Sequence, residues 1–142
     1  MKGKMTFMNL KVVTALVFIF LAAGCTVGTP HSIRLRGNLN PAQLSLDKRM
    51  PVSIEASVEN IANSTETVSV DVVDTEGLLI EKPERTSFTM KPGESRVVVF
   101  TGELEETAVP GKYRVEITAD TERGDRVAEV VFLNVVVERG FI

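Results

Sequence analysis

The chain has little of the chemistry that enzymes and metal sites use. It contains one cysteine, one histidine and one tyrosine, and no tryptophan. A single cysteine cannot form a disulfide within the chain. A structural zinc site needs about four cysteine or histidine ligands, and a Ser-His-acid triad needs a histidine held in place by packing. We also find no P-loop, no dinucleotide-binding glycine pattern and no paired-cysteine redox motif. These absences predict a protein that is not an enzyme and that uses no cofactor.

Acidic residues are absent from the first 24 positions. Lys2, Lys4 and Lys11 precede Cys25, so the chain from Cys25 onward has 13 basic and 19 acidic residues and a net charge of −6. An acidic body of this kind repels the phosphates of nucleic acid. It also offers no polybasic patch for anionic lipid. The composition therefore argues against a nucleic-acid partner and against membrane attachment through surface charge.

A long hydrophobic run is missing as well. The apolar stretch at residues 12–23 reaches about 18 Å at ~1.5 Å per residue, whereas a spanning helix must cross about 30 Å of hydrocarbon. A basic segment, this short run and then small residues have the order of a secretory signal. We therefore predict a helical signal peptide at residues 1–24, a lipidated tether at 25–32 and one domain at 33–142.

Five residues at the end of the apolar run carry a recognisable processing motif. Leu21, Ala22, Ala23, Gly24 and Cys25 resemble the lipobox of prokaryotic lipoproteins, although its commonest form has Leu where this chain has Ala22. The resemblance implies that a dedicated peptidase recognises the first four residues and that Cys25 bears a diacylglyceryl group, with palmitate as a typical chain. Two or more acyl chains would hold the protein on the cell membrane or outer membrane, with its domain outside the cytoplasm. The alternatives are an ordinary signal peptide followed by an unmodified cysteine, or an uncleaved anchor.

The predicted tether is short and polar. Residues 26–32 have turn-forming and polar character without an apolar period, and seven residues extend about 25 Å at most. The domain should then stay close to the bilayer, and we expect a membrane-proximal protein partner. The single histidine, His31, lies in this tether and is expected to be solvated. The sequence leaves open whether a small molecule also binds.

Beyond the tether, apolar and polar residues alternate with a period of two. The alternation is clearest at residues 52–59, 68–72 and 113–119, which predicts strands with one buried face and one face in water. Further strands are predicted at residues 32–36, 43–46, 78–81, 86–90, 95–102 and 126–138. Turn sequences separate them, and no helical stretch is long enough for a crossover connection. The fold class is therefore all-β, a single antiparallel β-sandwich of about seven to eight strands.

The order of strands and turns carries a second resemblance. Residues 50–120, with Lys91-Pro92-Gly93 before one strand and Pro110-Gly111-Lys112-Tyr113 before another, look like the immunoglobulin-like and fibronectin-like surface modules of bacteria and archaea, including cell-adhesion-related domains. The resemblance implies an immunoglobulin-like sandwich. Tyr113 resembles the tyrosine corner, in which a hydroxyl at the start of the penultimate strand bonds to nearby backbone. The alternative is that Tyr113 is simply a core aromatic residue.

A few polar residues suggest ligand or modification sites. Asp71, Asp74 and Glu76 flank a predicted turn and are a candidate calcium site, because loops of sandwich domains bind calcium through clustered carboxylates. Asn63 begins a glycosylation sequon, for which a polar hairpin loop is the plainer interpretation. Sugar-binding faces usually offer exposed aromatic platforms, and this chain has few aromatic residues to provide them.

The last predicted strand is apolar on both faces, which exceeds what a half-buried strand needs. Residues 127–137 are interrupted only by Glu129 and Asn134. Either the strand crosses between the two sheets, the interpretation we favour, or a partner covers one of its faces. In the second case the docking surface would include Phe132, Val136, Phe141 and Ile142.

These observations together predict a non-enzymatic, lipid-anchored β-sandwich that acts in protein interaction, adhesion or envelope scaffolding. The alternative is a carbohydrate- or calcium-binding accessory domain that serves a larger surface enzyme or transporter.

Overall fold

The computed structural model describes residues 31–138. The predicted signal peptide, the lipobox with Cys25, the rest of the tether up to Pro30, and the docking residues Phe141 and Ile142 lie outside the described residues. Within residues 31–138, every regular element is a strand. This part of the chain therefore holds no helix long and apolar enough to cross a membrane.

Nine strands follow one another along residues 31–138. They are β1 (Ile33–Asn40), β2 (Gln43–Ser45), β3 (Val52–Asn60), β4 (Glu66–Val72), β5 (Leu78–Glu81), β6 (Ser87–Met90), β7 (Ser95–Leu104), β8 (Gly111–Thr121) and β9 (Arg126–Val136). The count exceeds the expected seven to eight, and three of the strands have only three or four residues.

The strands form where the sequence alternates between apolar and polar residues. In β3, Val52, Ile54, Ala56 and Val58 are buried, while the residues between them are exposed or half-buried. β4 and β8 follow the same rule along most of their lengths. The predicted period of two is thus confirmed, because successive side chains of a strand point to opposite faces of its sheet.

Two sheets make up the sandwich. The first sheet has the order β1-β3-β7-β5, and the second has the order β2-β9-β8-β4-β6. Every pair of neighbouring strands is antiparallel except β2 and β9, which run parallel. The all-β sandwich predicted from the sequence is confirmed, and the β2–β9 pair is its one departure from a purely antiparallel arrangement in the described part of the chain.

Inward-facing side chains of both sheets build the core. Ile54 and Phe100 contribute from the first sheet, and Ile117 and Leu133 contribute from the second; all four are fully buried. Burial of a side chain of this size stabilises the fold by roughly 1.5–3 kcal/mol. Every buried side-chain nitrogen or oxygen of the described residues has a hydrogen-bond partner, so the core contains no unpaired polar group.

The last strand stays within one sheet. β9 pairs with β8 from Arg126 to Val135, and β2 joins its other side only from Asn134 to Val136. The expectation that this strand crosses between the sheets is therefore wrong. Its inner face packs on the core, and its outer face lies on the surface of the second sheet.

Loops gather at the two opposite ends of the sandwich. We call the end where the chain enters β1 the entry end; it holds residues 31–32, 61–65, 91–94 and 122–125. The far end holds residues 46–51, 73–77 and 105–110.

Candidate protein-interaction surface

The outer face of the second sheet carries an exposed aromatic side chain. Phe132 of β9 is 45% exposed, because its neighbour in the strand, Leu133, takes the position that faces the core. Val130 and Val136 lie on the same outer face as Phe132, because they are an even number of residues away, and both are half-buried. We define the Phe132 surface as Phe132, these two valines, and Lys112 and Arg114 of β8. Two residues of the predicted docking surface, Phe132 and Val136, thus lie on one face.

One cation lies over the aromatic ring, and a second lies on the neighbouring strand. The Lys112 ammonium lies 4.5 Å from the centroid of the Phe132 ring. Arg114 is directly opposite Phe132 in the β8–β9 register, and its Nη2 is 3.7 Å from Oε1 of Glu116. Lys112 forms no ion pair with any carboxylate of the described residues. A cation over a ring contributes roughly 0.5–1 kcal/mol at an exposed site.

A concavity adjoins this surface at the far end. Its volume is about 340 Å³, and it is lined by apolar side chains, two cations and one carboxylate: Val109, Pro110, Tyr113, Lys112, Arg114 and Glu76, with Thr75 and Gly111. Val109 is 63% exposed. Both cations therefore line the concavity, and Lys112 also lies over the Phe132 ring. Lys112 occupies one face of the ring, so that face is not free to stack on a sugar.

The only tyrosine forms the predicted corner. The Tyr113 hydroxyl donates to the carbonyl oxygen of Val109 at 2.7 Å, and the Val109 N–H donates to the same hydroxyl at 3.0 Å. The ring lies against Gly77, whose φ is +87°. A Cβ at Gly77 would lie only 2.7 Å from Cε2 of the ring, so this turn requires glycine. The tyrosine-corner interpretation is confirmed by this geometry.

A carboxylate fixes the start of the domain at the entry end. Oδ1 of Asp125 is 2.8 Å from Nδ1 of His31, and its Oδ2 accepts hydrogen bonds from the Ser32 N–H at 2.6 Å and the Ser32 hydroxyl at 2.9 Å. The hydrogen bond with His31 contributes most to lowering the pKa of Asp125 to about 2, and the Ser32 N–H comes next. His31 was expected to be a solvated tether residue, and it is bonded to the β8–β9 turn.

The candidate calcium site is not assembled. Oδ1 of Asp71 is 2.6 Å from the Lys82 ammonium, and this hydrogen bond is the main cause of the raised pKa of Lys82. Residues 31–138 contain no group of three or more His, Cys, Asp or Glu side chains arranged to hold a metal ion. The structure therefore does not bring Asp71, Asp74 and Glu76 together as ligands.

A buried asparagine joins three segments and was not singled out by the sequence. Asn60 at the end of β3 is fully buried, and its amide nitrogen donates to the carbonyl oxygens of Ser64 at 2.9 Å and Met90 at 3.0 Å. Its side-chain oxygen accepts from the Ala62 N–H at 2.9 Å. The nearby sequon residue, Asn63, is exposed in the β3–β4 loop.

No known protein family and no curated protein sequence matches this chain. Solved structures do resemble it. A FixG-related protein from Vibrio parahaemolyticus has a TM-score of 0.51 at 9% identity, over 79% of this chain and 100% of its own.

Two further structures resemble the chain with only a part of their own length. The alkylpurine DNA glycosylase AlkC from Pseudomonas fluorescens has a TM-score of 0.52 at 14% identity, over 75% of this chain and 31% of its own. The secreted serine protease VesC from Vibrio cholerae has a TM-score of 0.50 at 13% identity, over 73% of this chain and 23% of its own. At identities this low, the likeness establishes the fold alone.

Proposed function

We propose that this chain is a lipid-anchored, extracytoplasmic β-sandwich that binds a membrane-proximal protein partner as an interaction, adhesion or scaffolding module, without catalytic activity. The observation that carries the interaction role is the exposed Phe132 ring under Lys112, beside Val130 on the solvent face of the second sheet. Aromatic residues and arginine are enriched at protein–protein interfaces relative to the rest of the surface, and this surface has both in Phe132 and Arg114.

The anchor rests on a different part of the chain. A basic segment, an apolar run too short to span a bilayer and a lipobox-like ending at Cys25 support export and acylation. If Cys25 carries the lipid, Cys25→Ser should release the protein from membranes into the soluble fraction. Intact-mass measurement of the membrane-bound protein should show a chain that begins at an acylated Cys25. A chain that retains its first methionine would contradict the anchor.

The interaction role is tested with the full chain in its native membranes. After extraction in mild detergent, the wild-type protein should migrate on a native gel as a complex larger than the chain itself. Phe132→Ser should shift the protein to the free position while leaving its far-UV circular dichroism unchanged. Leu79→Ser is the matched control, because Leu79 is also an exposed apolar residue but lies in the first sheet. A complex that survives Phe132→Ser as well as the control would refute the role of this surface.

A further inference from the structure

The first six residues of β7 are paired on one side only. Its residues Ser95–Gly102 pair with β3, but on the opposite side only Thr101–Leu104 pair, with β5. No strand of the described chain pairs with Ser95–Phe100 on that opposite side. These six residues make no backbone hydrogen bond there to any loop of residues 31–138. One side of the segment Ser95–Phe100 is therefore an unpaired sheet edge.

The geometry of a strand determines what this edge offers. In an antiparallel ladder, alternate residues direct both their N–H and their C=O to the same side. Six residues therefore leave about three donors and three acceptors pointing away from β3, over a length of roughly 20 Å. An array of this kind is satisfied by the main chain of another extended polypeptide.

The side chains beside the edge are apolar and exposed. Val97 is 61% exposed and Val99 is 43% exposed, both on the outer face of the first sheet. Their partners in β3 are Ser57 and Glu55, which do not cover them. Natural sheets usually protect such edges with proline, lysine, a bulge or an inward-pointing charge. Ser95–Phe100 contains only the last of these devices, Arg96.

Arg96 is turned toward the second sheet. Its guanidinium lies 5.2 Å from the centroid of the Phe88 ring, and its Nε donates to Oε2 of Glu94 at 2.9 Å. The only carboxylate that Arg96 contacts in the described chain is Glu94. Its terminal amino groups can therefore receive a carboxylate from a chain added at the edge.

We propose that Ser95–Phe100 is a strand-addition site, at which an extended segment of a partner protein continues the line of β5. The added segment presents apolar side chains beside Val97 and Val99 and a carboxylate toward Arg96. This site is separate from the Phe132 surface and does not depend on the lipid anchor.

A second copy of this chain fits the edge poorly. The open segment of a second copy, Ser95–Phe100, contains no carboxylate to meet Arg96 and would bring a second arginine to the edge. A strand of a different protein that carries Asp or Glu therefore suits the open segment better.

Hydrogen exchange of the full chain in detergent tests whether the edge is open. One alternate set of three amides within Ser95–Phe100 should exchange rapidly, while the other set, which points toward β3, should be protected. Protection of all six amides would overturn the proposal.

Binding is tested with a hexapeptide of the sequence Thr-Val-Asp-Val-Thr-Val, capped at both ends. Amide resonances of Ser95–Phe100 should shift on titration. Every second residue of the bound peptide directs its N–H toward β7, and N-methylation of these residues should abolish binding. N-methylation of the other three residues, whose N–H groups point away from β7, should not. Absence of shifts at millimolar peptide, or equal tolerance of both methylations, would overturn the proposal, as would dimers formed through this edge in sedimentation.

Two variants locate the peptide on β7. Val97→Lys should weaken binding at least tenfold, while Val73→Lys should leave it unchanged, because Val73 is also an exposed valine but lies at the far end of the sandwich. Arg96→Gln should weaken the Asp-containing peptide and spare the same peptide with Asn in place of Asp. If Val97→Lys lowers stability, Val99→Thr serves as the milder variant. Binding that is unaffected by both Val97→Lys and Val99→Thr would rule out the site.

Discussion

The tyrosine corner allows a quantitative test of how the far end is held together. Tyr113→Phe removes the hydroxyl that bonds both polar groups of the Val109 backbone, at 2.7 and 3.0 Å. The ring and its packing against Gly77 remain. Both hydrogen bonds lie at the surface, where water can replace the hydroxyl, so the net cost should be about 1 kcal/mol. For a domain of this size, that loss lowers the melting temperature by about 4 °C.

The measurement is urea unfolding followed by far-UV circular dichroism, with calorimetry as a second probe. The midpoint should fall while the slope of the unfolding free energy against urea stays constant. An unchanged midpoint would show that the corner contributes no net stability.

Gly77→Ala probes the same corner from the other side. Its φ of +87° disfavours any side chain, and the new Cβ would lie 2.7 Å from the Tyr113 ring. We expect a loss of at least ~2 kcal/mol, larger than that of Tyr113→Phe. In the double variant the two losses should not add, because both changes disturb one contact. Strict additivity would mean that the glycine and the corner act independently.

Three further predictions concern the entry end and the calcium candidate. Asn60→Ala should cost about 3 kcal/mol in urea unfolding, because it leaves buried carbonyls and an N–H without partners. Asp125 has a folded pKa of about 2 against an ordinary value of 3.8, so its stabilisation is complete above about pH 5 and is lost as the pH falls through 2. Because the side chain is 26% exposed, Asp125→Asn should cost only about 1 kcal/mol at pH 7, and the difference from wild type should vanish at about pH 1 in pH-dependent melts. Millimolar calcium should leave the melting temperature unchanged, since Asp71 is paired with Lys82; a rise that Asp71→Asn abolishes would contradict this pairing.

The sequence predicted those features that depend on local pattern. Alternation placed β3, β4 and β8, because a period of two is a property of the strand itself. A family resemblance at Pro110-Gly111-Lys112-Tyr113 suggested the corner, with a core aromatic residue as the alternative. The feature was within reach of a local pattern because the partner, Val109, is only four residues away.

Features that join distant segments were missed. Asn60 is a polar residue at a strand end in the sequence, and its role appears only when β6 places Met90 beside it. Asp125 is 94 residues from His31, so no local pattern links them. Both roles depend on which loops the topology gathers at the entry end.

An apolar pattern on both faces of a strand occurs twice in the sequence, in β9 and in β7. Apolar residues on both faces were noted in β9, and Val97, Val98, Val99 and Phe100 in β7 have the same character. In a two-layer sandwich, a strand has another sheet on only one of its faces, so the outer apolar residues must face solvent or another chain. In both strands the structure leaves them exposed, with Phe132 on β9 and Val97 on β7. A strand that is apolar on both faces in a two-layer sandwich is therefore better interpreted as one that exposes apolar side chains on its sheet than as one that crosses between the sheets.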